Sequence, residues 1–389
     1  MVKLHTTVLC AAAAWLACLG LAQAQDAPSP FPVHHGLNVP QPLEPVQAFS
    51  AGRPDGAVLA FANPTRPHAY SPAELRAMGF DFIRLPVNPA VMLANPPPVR
   101  EHALDQAEAA MQPFLSQNIR VIFDLHFWSP PDKVWTAEAV ISPTDRAAFE
   151  QYKALVTEVA GRLAHYPQGT VALDLLNEPP HCVNATWFRQ QAELVRAARS
   201  AAPTLPLLLT GCNGGVDDLT SMNATNTDFS DPNLLFTFHY YEPLLFTHQG
   251  SNVKPFVAEV PYPARTGRLE DTKAATGAAI DAQQRQTGEA AAAKASANGA
   301  LAGYFAADID HRFIERRLDG IVAWARANNI PPSRLIMGEF AAINWLKTDS
   351  PERLKARLAW DEDVKLAAEA RGIPWAYWTL PTVRGPIFR

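Results

Sequence analysis

The chain of 389 residues has few cysteines, no block of basic residues and no apolar run long enough to span a membrane. Each shortage excludes something. Of the four cysteines, Cys10 and Cys18 fall within the first 24 residues, which leaves only Cys182 and Cys212 for the rest of the chain. These two either form a single disulfide or stay as two buried thiols; a bridge closing roughly 30 residues would contribute about 3 to 4 kcal/mol in the chain-entropy picture. A formal charge of -5 without a run of Lys or Arg argues against nucleic acid as a partner. The longest apolar stretch, 8–21, is shorter than the ~20 residues a spanning helix needs. Lys3 precedes it and Ala22-Gln23-Ala24 follows it, the layout of a cleavable secretory signal peptide over 1–24. Trp15-Leu16-Ala17 is a poor acylation box for Cys18. The mature chain, 25–389, is therefore expected in the periplasm or outside the cell, as a monomer without membrane contact. Apart from 26–32, no linker rich in Pro, Ser or Gly divides it, so one domain is expected and no separate binding module.

What is present is a repeat. Eight short runs rich in Val, Ile, Leu and Phe lie at 33–39, 80–87, 119–127, 170–177, 206–211, 234–240, 334–340 and 373–380. Continuous apolar runs of this length suit parallel strands buried on both faces. Helical stretches separate them at 71–79, 101–117, 144–165, 185–200, 309–328 and 351–370. The first is punctuated by Ser71-Pro72-Ala73-Glu74, an N-cap with a proline at the first helical position and a capping-box glutamate, and by Gly79 as its stop. Strict alternation of eight strands with helices predicts an α/β fold, the closed (β/α)₈ TIM barrel. After the fifth strand only 216–226 offers weak helix character. Between the sixth and seventh strands lies a long insertion, about 244–308, whose Ala-rich part, 274–302, has helix propensity but little apolar periodicity. It reads as an exposed insertion near the functional face. Few residues follow the eighth run, so the last outer helix is expected to be missing.

In such a barrel, chemistry collects at the C-terminal strand ends. Standing there are Arg84, His126, Asn177 with Glu178, His239 with Tyr241, Glu339 and Trp378. Glu178 follows the apolar run 171–176 and precedes Pro179-Pro180; Glu339 repeats the arrangement after Leu335-Ile336-Met337-Gly338. A lone acidic residue at a strand end is usually a cap or a surface charge. Two in matching contexts, beside Arg, His and Tyr on other strands, point to paired-carboxylate chemistry. Glycosidic cleavage needs such a pair, one carboxyl protonated for the leaving oxygen and one ionised to attack or to activate water.

The strings Ile83-Arg84-Leu85-Pro86, Leu176-Asn177-Glu178-Pro179, Phe238-His239-Tyr240-Tyr241, Gly338-Glu339-Phe340 and Trp375-Ala376-Tyr377-Trp378 resemble glycoside hydrolase family 5, the cellulase family, in order and over nearly all of the mature chain. The resemblance implies a retaining double displacement with Glu178 as acid/base and Glu339 as nucleophile. It implies further that Asn177 bonds the sugar 2-hydroxyl, that Arg84 and Tyr241 orient Glu339, and that His126, His239 and Trp378 line the −1 subsite. The expected partner is a β-linked glucan, first a β-1,4-glucan, with β-1,3- or mixed-linkage glucan or mannan as alternatives. No cofactor or metal is expected. The family's early Gly-Asn motif corresponds to Gly36-Leu37-Asn38, but Pro40-Gln41-Pro42 stands where an aromatic residue often follows. Trp128 and Trp135, after the third strand, are candidate sugar platforms or loop-packing residues.

Two other readings compete. A metal-dependent barrel hydrolase would draw on His34, His35, His126 and His239, but no His-x-His pair stands on the first strand and no lysine ends the fourth. A non-catalytic carbohydrate-binding barrel would be favoured by loss of either glutamate, and both are present.

Overall fold

The computed structural model describes residues 28–39, 70–127, 134–283, 287–343 and 350–379. The leader reading over 1–24, Pro40-Gln41-Pro42, Trp128 and the expected lack of a last outer helix after residue 380 fall outside the described residues. Eight strands are present: β1 His35–Asn38, β2 Phe82–Val87, β3 Arg120–Leu125, β4 Val171–Asp174, β5 Leu207–Leu209, β6 Leu234–Tyr240, β7 Leu335–Phe340 and β8 Trp375–Tyr377. Each pairs in parallel with its neighbours in chain order, and β8 pairs with β1 to close the barrel. Every expected apolar run contains one strand. The strands are shorter than the runs because apolar residues such as Leu175 and Leu176 stay buried after the ladder has ended.

Among the helices of the described residues are α1 Pro72–Ala77, α2 Pro97–Leu115, α3 Arg146–Leu163, α4 Asn184–Ala201, α5 Val216–Thr220, α6 Leu269–Asp281, α7 Thr287–Ala306, α8 His311–Ala327 and α9 Pro351–Glu369, with short further turns at Pro89–Leu93, Ala137–Val140 and Leu244–Thr247. Ser71 and Glu74 form the reciprocal capping box: the Ser71 hydroxyl accepts from Glu74 N at 3.3 Å, and Glu74 Oε2 accepts from Ser71 N at 2.7 Å. Such a cap stabilises a short helix by about 1 kcal/mol. Gly79 ends the turn at φ +95°, a conformation that costs a side-chain-bearing residue. The helix α2 starts already at Pro97, since consecutive prolines preset φ for a first turn. None of the helices in the described residues is long and apolar enough to cross a membrane.

Strand periodicity sorts the side chains. Ile83, Leu85, Val121, Phe123, Leu173, Phe236, Phe238 and Met337 join the shell between strands and helices. Alternate residues Phe82, Ile122, Ala172, Leu208, Leu235, Ile336 and Ala376 form a separate apolar layer inside the barrel, with Phe31 and Val33. Gly36 is required at this level, because a Cβ there would lie 2.4 Å from the Phe82 ring. One step further toward the C-terminal ends the interior turns polar, with Asn38, Arg84, Asp124, Asp174 and Thr237 all buried.

Between β6 and β7, the insertion folds as α6 and α7 packed together. Thr272, Thr276, Ile280, Leu301 and Tyr304 are the buried contacts of these two helices, and the segment before them buries Phe246, Val257, Val260, Tyr262 and Ala264. Tyr304 donates to Pro261 O at 2.5 Å, and Tyr262 donates to Asp363 Oδ2 on α9 at 2.7 Å, which fastens the insertion to the barrel wall.

Candidate active site

The site is built around a buried guanidinium. Arg84 on β2 has no exposed side-chain surface and faces three carboxylates: Glu339 Oε1 at 2.8 Å, Asp124 Oδ2 at 3.0 Å and Asp174 Oδ2 at 3.0 Å. It also donates to Asn177 Oδ1 at 2.7 Å and Asn38 Oδ1 at 3.2 Å. Burial alone would lower its pKa, but the attraction of Asp124, Asp174 and Glu339 outweighs that and raises it. Burial pushes Asp124 and Asp174 up to about 6, with Arg84 pulling both back down. One guanidinium thus serves three carboxylates far out of water, and removing one partner from a buried ion pair costs about 3 to 5 kcal/mol.

Glu339 receives a donor on each oxygen, Arg84 on Oε1 and the Tyr241 hydroxyl on Oε2 at 2.8 Å. A register irregularity brings it there. Phe238 pairs with Met337 but His239 pairs with Glu339, so Gly338 is an extra residue in β7. Ile336 points into the barrel and Met337 out, so regular alternation would send residue 339 outward; the bulge returns it to the interior. A Cβ at 338 would lie 2.8 Å from Thr237 Oγ1, so the close passage favours glycine. Asn38 Nδ2 donates to Gly338 O at 2.8 Å and braces the bulge.

Glu178 reaches the site differently. It lies beyond the end of β4 with φ +37°, and its carboxylate Oε1 is 2.6 Å from His239 Nδ1. Its side chain keeps 40% exposure against 6% for Glu339. Burial raises its pKa above the usual carboxylate value, with His126 and Arg84 acting against that rise. Burial also lowers His239 to about 4, so near neutral pH its imidazole is uncharged. Burial thus acts against charge on both members of this short contact, the ring and the carboxyl.

His126 is likewise lowered to about 4 by burial. The Asn177 amide spans Arg84 and His126: Oδ1 accepts from Arg84, and Nδ2 lies 3.1 Å from His126 Nε2. Nε2 is therefore the acceptor, and Nδ1 donates to Asp124 Oδ2 at 3.0 Å, which fixes the tautomer. Trp378 stacks on His126 with centroids 5.9 Å apart.

Arg84, His126, Asn177, Glu178, His239, Tyr241, Glu339 and Trp378 thus form one connected group at the C-terminal strand ends. Cys182 and Cys212 are bonded to each other, with Cα atoms 5.7 Å apart, linking the loops after β4 and β5. Trp135 is partly buried against the outer shell. His34 and His35 stand at the opposite end of the barrel, paired with Asp81 and Glu369, so the four histidines of the metal reading do not converge. One ligand atom each of Glu178, His239 and Glu339 do lie within 4.8 Å of one another. A cation there would face Arg84, already 2.8 Å from Glu339. Sequence reasoning missed Asp124 and Asp174, single acids inside apolar runs. Their parity was the available signal: Asp124 is two residues before His126, on the same strand face.

The family model for cellulases, described as glycosyl hydrolase family 5, matches residues 55–382. Endoglucanase 3 of Fibrobacter succinogenes is 26% identical over 226 residues, 57% of this chain and 31% of that protein. Cellodextrinase A of Ruminococcus flavefaciens is 24% identical over 205 residues, 50% of this chain and 56% of that one. The aligned part of the chain thus spans from 31% to 56% of the length of these curated relatives. Among solved structures, an endoglucanase superposes with a TM-score of 0.60 at 19% identity, covering 92% of this chain and 91% of that one, a likeness of fold. With its family model matched over most of the sequence and the strand-end residues assembled in one barrel mouth, the chain belongs to the cellulase family, glycosyl hydrolase family 5.

Proposed function

We propose that the protein is a retaining glycoside hydrolase acting on β-1,4-glucan, with Glu339 as nucleophile and Glu178 as acid/base. The observation that carries this reading is the closeness of two carboxylates in unlike environments. Oxygens of Glu178 and Glu339 approach within 4.8 Å, nearer to the about 5 Å separation of retaining enzymes than to the about 6.5 to 9.5 Å that makes room for a water in inverting ones. Glu339 Oε attacks the anomeric carbon while Glu178 gives its proton to the departing oxygen, leaving a glycosyl ester on Glu339. Glu178, now ionised, takes a proton from water, which attacks the same carbon and frees Glu339. On this reading Asn177 bonds the 2-hydroxyl, and His126, His239 and Trp378 surround the same sugar.

A glucan substrate is supported by the endoglucanase name of one curated relative, and the β-1,4 linkage by the cellodextrinase name of another, since cellodextrins are β-1,4-linked glucose oligomers. Cellodextrinase A favours a second reading, action on short oligosaccharides rather than within long chains. The segment 1–24 is read as a leader, with 25–389 acting as one exported, monomeric catalytic domain. Purified protein assayed on carboxymethylcellulose, cello-oligosaccharides, β-1,3-glucan, mixed-linkage glucan and mannan tests the substrate. Release of reducing ends from the first two, lost in Glu178→Ala and Glu339→Ala, is expected. Wild-type activity in both variants would overturn the catalytic assignment, and activity on mannan alone would overturn the glucan.

A further inference from the structure

The loops after β4 and β5 carry unusual backbone. Of the seven non-glycine residues with positive φ among the described residues, three lie here: Glu178 at 37°, His181 at 49° and Asn213 at 54°. Gly214 follows at 66°. Left-handed conformations at side-chain-bearing residues persist only where surrounding contacts enforce them, and they cluster at functional sites.

The enforcing contacts run between the two loops. Asn213 N donates to Pro179 O at 2.9 Å, and His181 N donates to Asn213 Oδ1 at 3.3 Å. Cys212 N donates to Asn184 Oδ1 at 3.0 Å, tying the second loop to the start of α4. The Cys182–Cys212 bond is the covalent member of this set. Above it, Gly214 supports the Glu178 side chain: a Cβ on Gly214 would lie 3.0 Å from Glu178 Cγ and 3.4 Å from His239 Nδ1. The three-residue turn Cys212–Gly214 is therefore the floor on which both Glu178 and its imidazole partner rest.

We propose that the Cys182–Cys212 disulfide is a positioning device for Glu178, holding the 212–214 turn beneath the carboxyl so that it meets the leaving oxygen. This rests on the reading of Glu178 as acid/base. A bridge with a merely structural role would stabilise the fold without favouring one chemical step. A bridge that places the acid affects only bonds whose departure needs a proton. Cys182 is partly buried and Cys212 fully buried, so reduction is followed by thiol titration of the folded protein before activity is read.

Kcat/KM, which reports the first bond-breaking step, separates the two roles when measured on phenyl and 2,4-dinitrophenyl β-cellobiosides. The phenol leaves poorly without a proton, whereas the dinitrophenolate leaves unaided. Reducing the folded protein with dithiothreitol, and separately Cys182→Ser with Cys212→Ser, is expected to lower kcat/KM roughly ten- to hundredfold on the phenyl substrate and less than about threefold on the other, since general acid catalysis contributes about 10² to 10⁴. Gly214→Ala, with the bridge intact, is expected to show the same selective loss. Equal losses on both substrates, or none on either, would overturn the proposal. Reduction after folding keeps the test open if the double variant does not fold. Glu178→Ala is the control: if it lacks this selectivity, the acid/base reading fails and the fault does not lie with the clamp.

Discussion

The ends of β4 and β7 look alike in sequence, each an apolar run that stops at a glutamate, yet they deliver two different carboxyl groups. At β7, a bulge at Gly338 turns Glu339 into the barrel, where Arg84 and Tyr241 each give a hydrogen bond to one oxygen. At β4, Glu178 itself lies beyond the strand in a left-handed conformation and keeps more exposure, and its close partner is an imidazole that burial holds uncharged near neutral pH. On the proposed reading, the same residue type serves as nucleophile or as proton donor according to what the neighbouring strands place against it. Chemistry is assigned by partners on β2 and β6 rather than by the local string.

Variants at the two ends are therefore expected to diverge in kind as well as in size. The largest effect is expected for Glu339→Ala, which removes the attacking atom: kcat falls by roughly 10⁵-fold or more, about 7 kcal/mol of barrier, on every substrate. Glu178→Ala follows, with roughly 10² to 10⁴ lost on poor leaving groups. Its pH signature is distinctive. Glu178 acts protonated and burial raises its pKa, so wild-type kcat/KM is high below that pKa and falls as pH rises through it. In Glu178→Gln this alkaline fall disappears from the pH-rate profile; its survival would assign the limb to another group. Gly338→Ala attacks the bulge, because the new Cβ meets Thr237 Oγ1 and His239. A loss of about 10² in kcat is expected from displacing Glu339 by a fraction of an ångström or more, with about 1 to 3 kcal/mol of stability lost in denaturant melts. The smallest effect is expected for Tyr241→Phe, which removes one hydrogen bond to a charged group, worth about 1.5 to 3 kcal/mol, and slows kcat about 10- to 100-fold while leaving the alkaline limb in place.

The barrel was legible because parallel strands buried on both faces must be apolar throughout, and the Ser71–Glu74 cap and Gly79 stop are local chemistry. The pair Glu178 and Glu339 was legible as interruptions where those runs end. Asp124 and Asp174 were not, since each sits inside its run and acquires a partner only when Arg84 arrives from another strand. The bulge at Gly338 was hidden for a related reason: register is a relation between two strands, absent from either one. The insertion helix α6 defeats periodicity reading because Thr272 and Thr276, polar by type, occupy its buried face beside Ile280. The turn 212–214 became meaningful only when it was found beneath Glu178.

The central claim, that β7 supplies a nucleophile and β4 a proton, is tested most directly by trapping the covalent intermediate. Incubation with 2,4-dinitrophenyl 2-deoxy-2-fluoro-β-cellobioside, digestion and mass spectrometry should find the sugar esterified to Glu339, and the adduct should also form in Glu178→Ala. An adduct on Glu178, or no adduct together with inverted anomeric configuration in the product, would contradict it.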